Sequence, residues 1–464
     1  MIADLSRWVA TGVFILAPIP FGSIDTPWIM AWAGLLAVSI ATARIPSHNV
    51  GDRFLVGGST LLLALLAVVT VLDWWPGLAA PYPEWQRAAA LLPGGEAARG
   101  AASAGEPWRF YGNALCMTLA FVRAFWIGKN EANARRLLSL LAWTASGLAV
   151  VSTIAFFLDP RYVLGRPKMS YADDFVGTFM HRNPAAIYFA TGAILWFGMI
   201  CDRFRREAAA HEGLSRFIRA AARDGVPRDL LMLLGGFLIA AVAVFETRSR
   251  AGGLLMLVGC GLVALLVRPR PASRTTQLSG LGALGLAAGV AAALVLLLEV
   301  VGSGVGGRVA QSGGSDLGRL ETYRATLLLI ADVPWLGVGL GNFELVFPSY
   351  RTAELLTSGI WNRVHSTPLE QAAESGIPYA LAVAAFWFAA GAMLLRGVLR
   401  RRRGRVLPAS AFSVAIVATL HSLIDFPLQI PGYAIVFAAI LGVGLAQRTR
   451  SETAVNRSSD GLPQ

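Results

Sequence analysis

Apolar runs of nearly bilayer-spanning length recur along the whole chain. Examples are FLVGGSTLLLALLAVVTVL, LLSLLAWTASGLAVVSTIAFFL and LLMLLGGFLIAAVAVF, at 54–72, 137–158 and 230–245. A transmembrane helix needs about 20 apolar residues. In lipid every backbone N–H and C=O must be bonded within the chain, so each run is expected to be helical. With 55% hydrophobic and only 15% charged residues, the composition excludes an ordinary soluble protein.

The hydropathy pattern predicts an all-α polytopic membrane protein with about twelve transmembrane helices. We place them at 8–22, 28–44, 54–72, 109–128, 137–158, 184–201, 229–246, 251–267, 279–302, 377–397, 408–424 and 430–447. The predicted organisation is nine spans in 1–302 with external loops at 73–108 and 159–183, a large loop at 303–376, three spans in 377–447 and a tail at 448–464. A cleaved signal peptide is the alternative for the first segment, but no small-x-small cleavage site follows PIPFG.

Basic residues predict the orientation of the spans. Arginine-rich connections fall on alternate loops, around 129–136, 203–228, 268–274 and 400–405. The positive-inside rule then places both termini in the cytoplasm and the long loops outside. Membrane topology and contact with anionic lipid headgroups thereby explain the net charge of +12, so nucleic-acid binding is not needed to account for it.

The large loop at 303–376 is predicted to form a helical cap. Apolar residues recur at helical spacing within SDLGRLETYRATLLLIAD, with Ser315 available as N-cap. A turn rich in Pro and Gly, PWLGVGLGNF, follows this segment. No Walker A sequence occurs in the chain, so coupling to ATP within it is not expected.

The stretch RVHSTPLEQAAESGIP at 363–378 concentrates polar residues between apolar segments. Its pattern predicts a capping box, with Thr367 as N-cap, Pro368 at N1 and Glu370 at N3, and a short helix that ends at Gly376. His365 would precede this helix by two residues, where the helix dipole disfavours an imidazolium. A neutral imidazole can act as a general base. The alternative is a polar loop histidine that bonds to backbone.

Arginines lie beside two other predicted helix starts at the outer surface. In TFMHRNPAAIYFA, His181 and Arg182 precede Asn183, a predicted N-cap, and in FETRSRAGG the arginines are Arg248 and Arg250. An arginine beside a helix N-terminus is suited to bind a phosphate or diphosphate. Snorkelling of each arginine to lipid headgroups is the alternative.

The remaining polar candidates carry weaker signals. His421 and Asp425 lie four residues apart and are predicted to form a hydrogen-bonded pair that braces the site. Asp173 and Asp174 are adjacent acids in an external loop, but without a D-x-D motif or a His/Asp cluster we expect no metal. Among the arginines of the large loop, Arg319 and Arg324 are further candidate anion ligands, and Arg363 is predicted to be a solvated or headgroup-facing cation.

These motifs together resemble the bacterial O-antigen ligase and O-antigen polymerase superfamily. The resemblance covers about 170–445 and rests on GTFMHRNPAA, TRSRAGG, RLETYRATLLLIADVPWLGVGLGNF, VHSTPLEQAAESGIP and HSLIDFPLQIPG. It implies a GT-C-like glycosyltransferase architecture in the bacterial inner membrane. The implied enzyme inverts, uses no metal or cofactor, and takes a glycan from undecaprenyl diphosphate at the periplasmic face. The acceptor would be lipid A-core, a second carrier-linked glycan or a protein hydroxyl.

By motif position, the resemblance assigns the essential loop histidine to His365. It assigns the arginine that engages the diphosphate to Arg250 or its neighbour Arg248, with Arg182 as a second candidate. Glu370, His421, Asp425 and His181 are expected to support the site. The sequence leaves ligase and polymerase open. A polytopic secondary transporter, an export component for lipid-linked glycans and a structural scaffold are the alternatives, although ionisable residues crowd the outer surface rather than the bilayer midplane.

Overall fold

The computed structural model describes residues 2–75, 101–103, 107–168, 172–211, 214–268, 317–352, 361–401 and 404–449, with residue 355 and five positions between 82 and 91. The predicted span at 279–302 and the predicted N-cap Ser315 lie outside these ranges. So do the start of the large loop, 303–316, and all but the first two residues of the tail.

Within the described residues the chain is helical almost throughout. Helices that overlap predicted spans are α1 (Ile2–Leu16), α2 (Thr26–Ala41), α3 (Val50–Trp74), α4 (Pro107–Gly128), α5 (Glu131–Leu158), α6 (Arg182–Ala210), α8 (Arg228–Glu246), α9 (Arg250–Val267), α12 (Thr367–Arg400), α13 (Val406–Ser422) and α14 (Pro431–Ala446). The other helices are α7 (Leu214–Asp224), α10 (Leu317–Asp332) and α11 (Phe343–Val346), with 3-10 turns at Phe21–Ser23, Phe347–Tyr350 and Pro427–Gln429. An antiparallel hairpin pairs β1 (Tyr162–Val163) with β2 (Arg166–Pro167).

The lengths of these helices match a membrane protein. In the described part of the chain, seven helices are long and apolar enough to cross a membrane, and α2, α13 and α14 are shorter apolar helices. The chain is therefore a polytopic helical membrane protein, and the count of twelve spans stays a prediction.

The first helix is displaced from its predicted position at 8–22. It begins at Ile2 and ends at Leu16. Pro18 and Pro20 follow, and because proline has no N–H and restricts the residue before it, the helix cannot continue through them. The chain instead turns through the 3-10 segment Phe21–Ser23.

Helices α6 and α14 form the centre of the bundle. Every residue of α14 is buried, and 83% of the apolar window of α6 is enclosed, against 17% for α12. Along the α4–α14 contact, a Cβ on Gly442 would lie 2.5 Å from the carbonyl oxygen of Phe121, so only glycine permits this approach. The outer helix α3 instead exposes Leu61, Leu65, Val68 and Val71, as expected for a face in contact with lipid.

The described part of 317–375 forms a cap with an apolar cluster of its own. This cluster includes Ala325, Leu329, Val338, Phe343, Phe347, Val364 and Ala373. The predicted helix within SDLGRLETYRATLLLIAD is present as α10.

The cap joins the membrane helices at a break in α12. Gly376 has φ 80° and ψ 159°, and a Cβ there would lie 2.0 Å from the carbonyl oxygen of Trp335. Next to the break, the Ile377 N–H donates to the carbonyl of Pro334 at 2.8 Å. The helix is thus interrupted at the residue where its end is predicted, and the loop after α10 packs into the break.

Candidate functional site

His365 occupies a strained position beside the start of α12. Its backbone is left-handed, with φ 58°, a conformation that residues with a side chain rarely adopt. The Tyr323 hydroxyl donates a hydrogen bond to the His365 carbonyl at 2.8 Å, so α10 holds the strained peptide in place. Strain of this kind persists only where surrounding contacts impose it, and it concentrates at functional positions.

Glu370 fixes the two residues before His365. Its carboxylate accepts hydrogen bonds from Nη1 of Arg363 at 2.8 Å and from the backbone N–H of Val364 at 2.9 Å. Burial lowers the pKa of Arg363, but the negative charges of Glu370 and Glu374 outweigh burial and raise the pKa overall. Arg363 is therefore an enclosed ion-pair partner, and its interpretation as a solvated or headgroup-facing cation is wrong.

The predicted capping box at the start of α12 is also wrong. The helix begins at Thr367, and Ser366 takes the N-cap position without a side-chain capping bond. The Thr367 hydroxyl donates to the carbonyl of Asp425 at 3.2 Å, while Glu370 binds the preceding loop. The side chains of Thr367 and Glu370 therefore bind groups outside the helix instead of capping its first turn.

Asp425 faces the imidazole of His365. Its Oδ1 lies 3.4 Å from His365 Nδ1, an ion-pair distance without the alignment of a hydrogen bond, and the Asp425 side chain is only 2% exposed. Burial alone would raise the pKa of Asp425, but the contact with His365 outweighs burial and holds the pKa well below its usual range. The low pKa favours the ionised form of Asp425, which lies beside the His365 ring.

Asn183 connects Asp425 to the corner between α8 and α9. Its amide nitrogen donates to Oδ2 of Asp425, and its amide oxygen accepts a hydrogen bond from the Ser249 hydroxyl at 2.9 Å. Helix α6 already begins at Arg182, so the prediction of Asn183 as N-cap is wrong. The Asn183 side chain is engaged by residues 66 and 242 positions away rather than by its own helix.

The arginines of the α8–α9 corner lie on either side of Ser249. Arg248 has a left-handed backbone, with φ 53°, and its side chain is 48% exposed, with Nη1 3.9 Å from Asp174. Arg250 is exposed in the first turn of α9. The structure gives the Arg250 side chain no ion pair or hydrogen bond with any residue that it describes.

The other candidate arginines differ in their surroundings. Arg319 Nη2 lies 3.9 Å from Oδ2 of Asp425, and its Nη1 donates to the carbonyl of Ile424. Arg182 donates to Asp174 at 2.8 Å. Arg324 pairs with Glu321 on the exposed side of α10. The structure thus brings Arg319 to Asp425, pairs Arg182 with Asp174, and pairs Arg324 with Glu321 within α10.

The acidic pair in the loop before α6 is divided between two environments. Asp174 is buried and faces Arg182 and Arg248, whereas Asp173 is exposed. Among the described residues, no group of three or more His, Cys, Asp or Glu side chains is placed to hold a metal ion.

The other two histidines of the candidate set, His181 and His421, differ in their surroundings. His181 and His365 contact the ring of this residue, with centroid distances of 5.8 Å and 5.1 Å. Burial lowers the pKa of His181, which favours its neutral form. His421 is buried, and neither of its ring nitrogens has a hydrogen-bond partner in the described structure. The predicted His421–Asp425 hydrogen bond is therefore wrong, because the Asp425 carboxylate binds Asn183 and the Phe426 N–H instead.

A cavity of about 250 Å³ lies between α3, α4, α12 and α14. Its walls are mainly apolar, and its end nearest the cap is lined by Thr367 and Glu370. At that end the side-chain oxygens of Asn113 and Gln429 are buried without a hydrogen-bond partner. The cavity therefore has an apolar body and a polar end that adjoins the residues fixing His365.

Comparison with known protein families finds one segment of the chain that matches a family model. Residues 235–384 match the family model described as O-antigen ligase. This segment belongs to the O-antigen ligase family. The match covers about a third of the 464 residues, and among the curated proteins none matches the chain.

The O-antigen ligase segment contains the candidate residues of the α8–α9 corner and of the cap. Within it lie His365, Arg248, Arg250, Arg319, Arg324 and Glu370. Asp425 and His421, near the carboxyl end, and Arg182 and His181, at the start of α6, lie outside the matched residues. The structure nevertheless joins both regions to the O-antigen ligase segment through the contacts of Asp425 and Asn183.

Sequence reasoning missed the residues that make these contacts. Asn183 and Ser249 lie between or beside candidate arginines, and Thr367 and Tyr323 occur in the quoted motifs, but none was expected at the site. Their position next to charged candidates is the one signal that pointed to them. Their partners are distant in sequence, so no local spacing reveals the contacts.

Proposed function

We propose that the chain is a membrane glycosyltransferase that moves a glycan from an undecaprenyl-diphosphate carrier to an acceptor hydroxyl. The observation that carries this proposal is the chain of side-chain contacts from His365 through Asp425 and Asn183 to Ser249. It joins a histidine suited to general-base catalysis to the corner that carries Arg248 and Arg250.

His365 is the base in this mechanism. An ionised Asp425 beside Nδ1 favours the tautomer with the proton on Nδ1, which leaves Nε2 able to accept a proton. The acceptor oxygen attacks the anomeric carbon while its proton moves to Nε2. The bond from the anomeric carbon to the diphosphate oxygen breaks, and its electron pair leaves with the diphosphate. This single displacement inverts the anomeric configuration.

The arginines supply the positive charge that the leaving group requires. Negative charge accumulates on the diphosphate as the glycosidic bond breaks, so fixed cations nearby stabilise the transition state. Arg250 and Arg248 are exposed on either side of Ser249, and Arg319 lies beside Asp425. Arginine suits this task because it remains charged and binds phosphate oxygens with a planar fork. Arg182 would contact the diphosphate while still paired with Asp174.

The apolar cavity is suited to a lipid substrate. It lies among membrane helices, and its polar end meets Thr367, whose hydroxyl contacts the Asp425 carbonyl. Ligand sites commonly combine apolar walls with a few polar groups that fix orientation. We assign this cavity to apolar chain segments of a lipid-linked substrate, whose reacting end would then lie near His365. The protein would work at the periplasmic face of the bacterial inner membrane.

Transfer by the purified full-length chain tests the proposal. The assay combines undecaprenyl-diphosphate-linked glycan with an acceptor and resolves the products on a gel. His365→Ala and Arg250→Ala are each expected to lower transfer by about a hundredfold or more, with normal membrane insertion. His211→Ala and Arg400→Ala, distant from the cluster, serve as matched controls. Wild-type transfer in both site variants would remove the assignment.

Two further experiments test whether a metal is needed and which kind of transfer takes place. Transfer is expected to persist in EDTA, whereas a loss that Mg²⁺ restores would point to a metal site at Asp173 and Asp174. After deletion of the gene, unattached long glycans would identify a ligase, and acceptors carrying a single repeat would identify a polymerase.

A further inference from the structure

A second cavity opens at the end of the bundle away from His365. Its volume is about 370 Å³, and it lies between α5, α6, α8 and α13. Along α6, Asp202 at this cavity is twenty residues beyond Arg182 at the candidate site, which corresponds to about 30 Å of helix. That length equals the hydrocarbon thickness of a bilayer, so the second cavity lies at the opposite membrane boundary.

The inner part of this cavity is apolar. Its walls include Leu138, Trp143, Leu195, Met199, Met232 and Leu407. The Trp143 ring stands edge-on to the buried Trp196 at 4.7 Å and remains 47% exposed. A cleft of this kind, set between membrane-spanning helices, provides the contacts that an acyl chain requires.

The mouth of the cavity carries charges of both signs. Arg206 is 66% exposed, and its nearest carboxylate oxygen, on Asp202, is 3.4 Å away. Asp229 is 51% exposed and is held by Arg203. The mouth therefore presents a guanidinium and a carboxylate that both remain accessible to a headgroup.

We propose that this cavity binds one zwitterionic phospholipid with a primary ammonium group, of the phosphatidylethanolamine class. Its acyl chain would lie along the apolar wall, its phosphate would bind Arg206, and its ammonium would bind Asp229. A phosphate is attracted by arginine, and the carboxylates at the same mouth favour a headgroup that also carries positive charge. An anionic phospholipid would satisfy Arg206 but offer no cation to Asp229, whose present partner is Arg203.

Native mass spectrometry of the full-length chain tests this inference. The protein is exchanged with vesicles of equal parts phosphatidylethanolamine and phosphatidylglycerol, and retained lipid is counted. Wild type is expected to retain one phosphatidylethanolamine. Arg206→Ala is expected to weaken retention about tenfold, the effect of losing one charge-assisted hydrogen bond, and Arg400→Ala, an exposed arginine outside the cavity, to leave retention unchanged.

Two variants separate the headgroup from the cavity. Asp229→Asn is expected to abolish the preference for phosphatidylethanolamine over phosphatidylglycerol while total retention persists. Ser139→Trp is expected to fill the cleft and prevent retention of either lipid, with thermal unfolding as the check on folding. Equal retention of both lipids by wild type, or unchanged retention in Arg206→Ala and in a folded Ser139→Trp, would overturn the proposal. Glycosyl transfer is not the readout, so the result is independent of the proposed activity.

Discussion

The side-chain oxygen of Asn183 accepts a hydrogen bond from the Ser249 hydroxyl at 2.9 Å, across 66 residues of sequence. The same side chain donates to Asp425. A single amide thus connects the start of α6, the arginine corner and the carboxylate that faces His365. We expect this amide to fix the position of the proposed base, His365, relative to the proposed diphosphate ligands, Arg248 and Arg250.

Replacement of Asn183 by alanine is expected to remove this connection. Asp425 and Ser249 each lose a partner, which costs about 1–3 kcal/mol for a buried group left unsatisfied. Transfer should fall mainly in kcat, because the orientation of Asp425 changes while the exposed arginines remain. Steady-state kinetics with a lipid-linked donor measure the effect. Asn133→Ala is the matched control, since Asn133 binds Arg7 away from the site. An unchanged kcat for Asn183→Ala would contradict the linking role.

Glu370→Gln is expected to release the loop that carries His365. The variant keeps the side-chain shape but removes the carboxylate charge that pairs directly with the enclosed Arg363 guanidinium, and breaking a buried pair of this kind costs about 3–5 kcal/mol. The unfolding temperature in detergent should drop, and transfer should fall with it.

Glu321→Gln provides the comparison for Glu370→Gln. Glu321 pairs with Arg324, whose side chain is 64% exposed, and exposed pairs contribute about 1 kcal/mol or less. Equal unfolding temperatures for the two variants would show that the Glu370–Arg363 pair does not hold the loop.

Gly376→Ala is expected to damage the junction between the cap and the membrane helices. The φ of 80° disfavours alanine, and its Cβ would meet the Trp335 carbonyl at 2.0 Å. We expect a loss of about 2 kcal/mol or more, measured by thermal unfolding. Gly391→Ala on the same helix is the control, because a Cβ there meets no atom within 4 Å. A Gly376→Ala protein as stable as Gly391→Ala would contradict the packing described for this break.

Stability should depend on pH through Asp425. Burial would raise its pKa, but contact with His365 outweighs burial, so the pKa in the folded protein is below the ordinary value. A carboxyl of this kind stabilises the fold at pH above its unfolded pKa of about 4, and the stabilisation is lost as pH falls through the folded value.

The comparison of wild type with Asp425→Asn measures this effect. Wild type should unfold at a higher temperature than Asp425→Asn. This difference should be largest at neutral pH and should shrink below about pH 4. Asp332→Asn, which changes an exposed carboxylate of the cap, should show a much smaller difference at every pH. A wild-type advantage over Asp425→Asn that is constant from neutral to acid pH would contradict an ionised Asp425.

Much of the architecture was predictable because its causes are local. The apolar runs are long enough to require membrane helices, and the apolar spacing in SDLGRLETYRATLLLIAD predicted α10 correctly. The break at Gly376 was also predictable, since only glycine adopts its conformation readily. Pro18 and Pro20 explain why the first helix ends at Leu16 although the apolar run continues beyond it.

The predictions that failed concern side chains with two possible partners. Thr367 and Asn183 each fit a local helix cap but bind residues brought near by the fold. Glu370 fits a capping box but binds the loop six and seven residues before it. Such choices depend on which distant group needs a partner once the bundle has formed. Arg363 shows the same limit, because its counter-charge becomes buried only when the cap packs against α4 and α12.

The most direct test of the account is a double-mutant cycle on His365 and Asp425. It measures kcat for glycosyl transfer in wild type, His365→Ala, Asp425→Asn and the double variant. If Asp425 acts by orienting the base, each single change lowers kcat by about 10²- to 10⁴-fold, and the double variant is no slower than His365→Ala. Losses that multiply in the double variant would show that the two residues act independently, which contradicts the proposed mechanism.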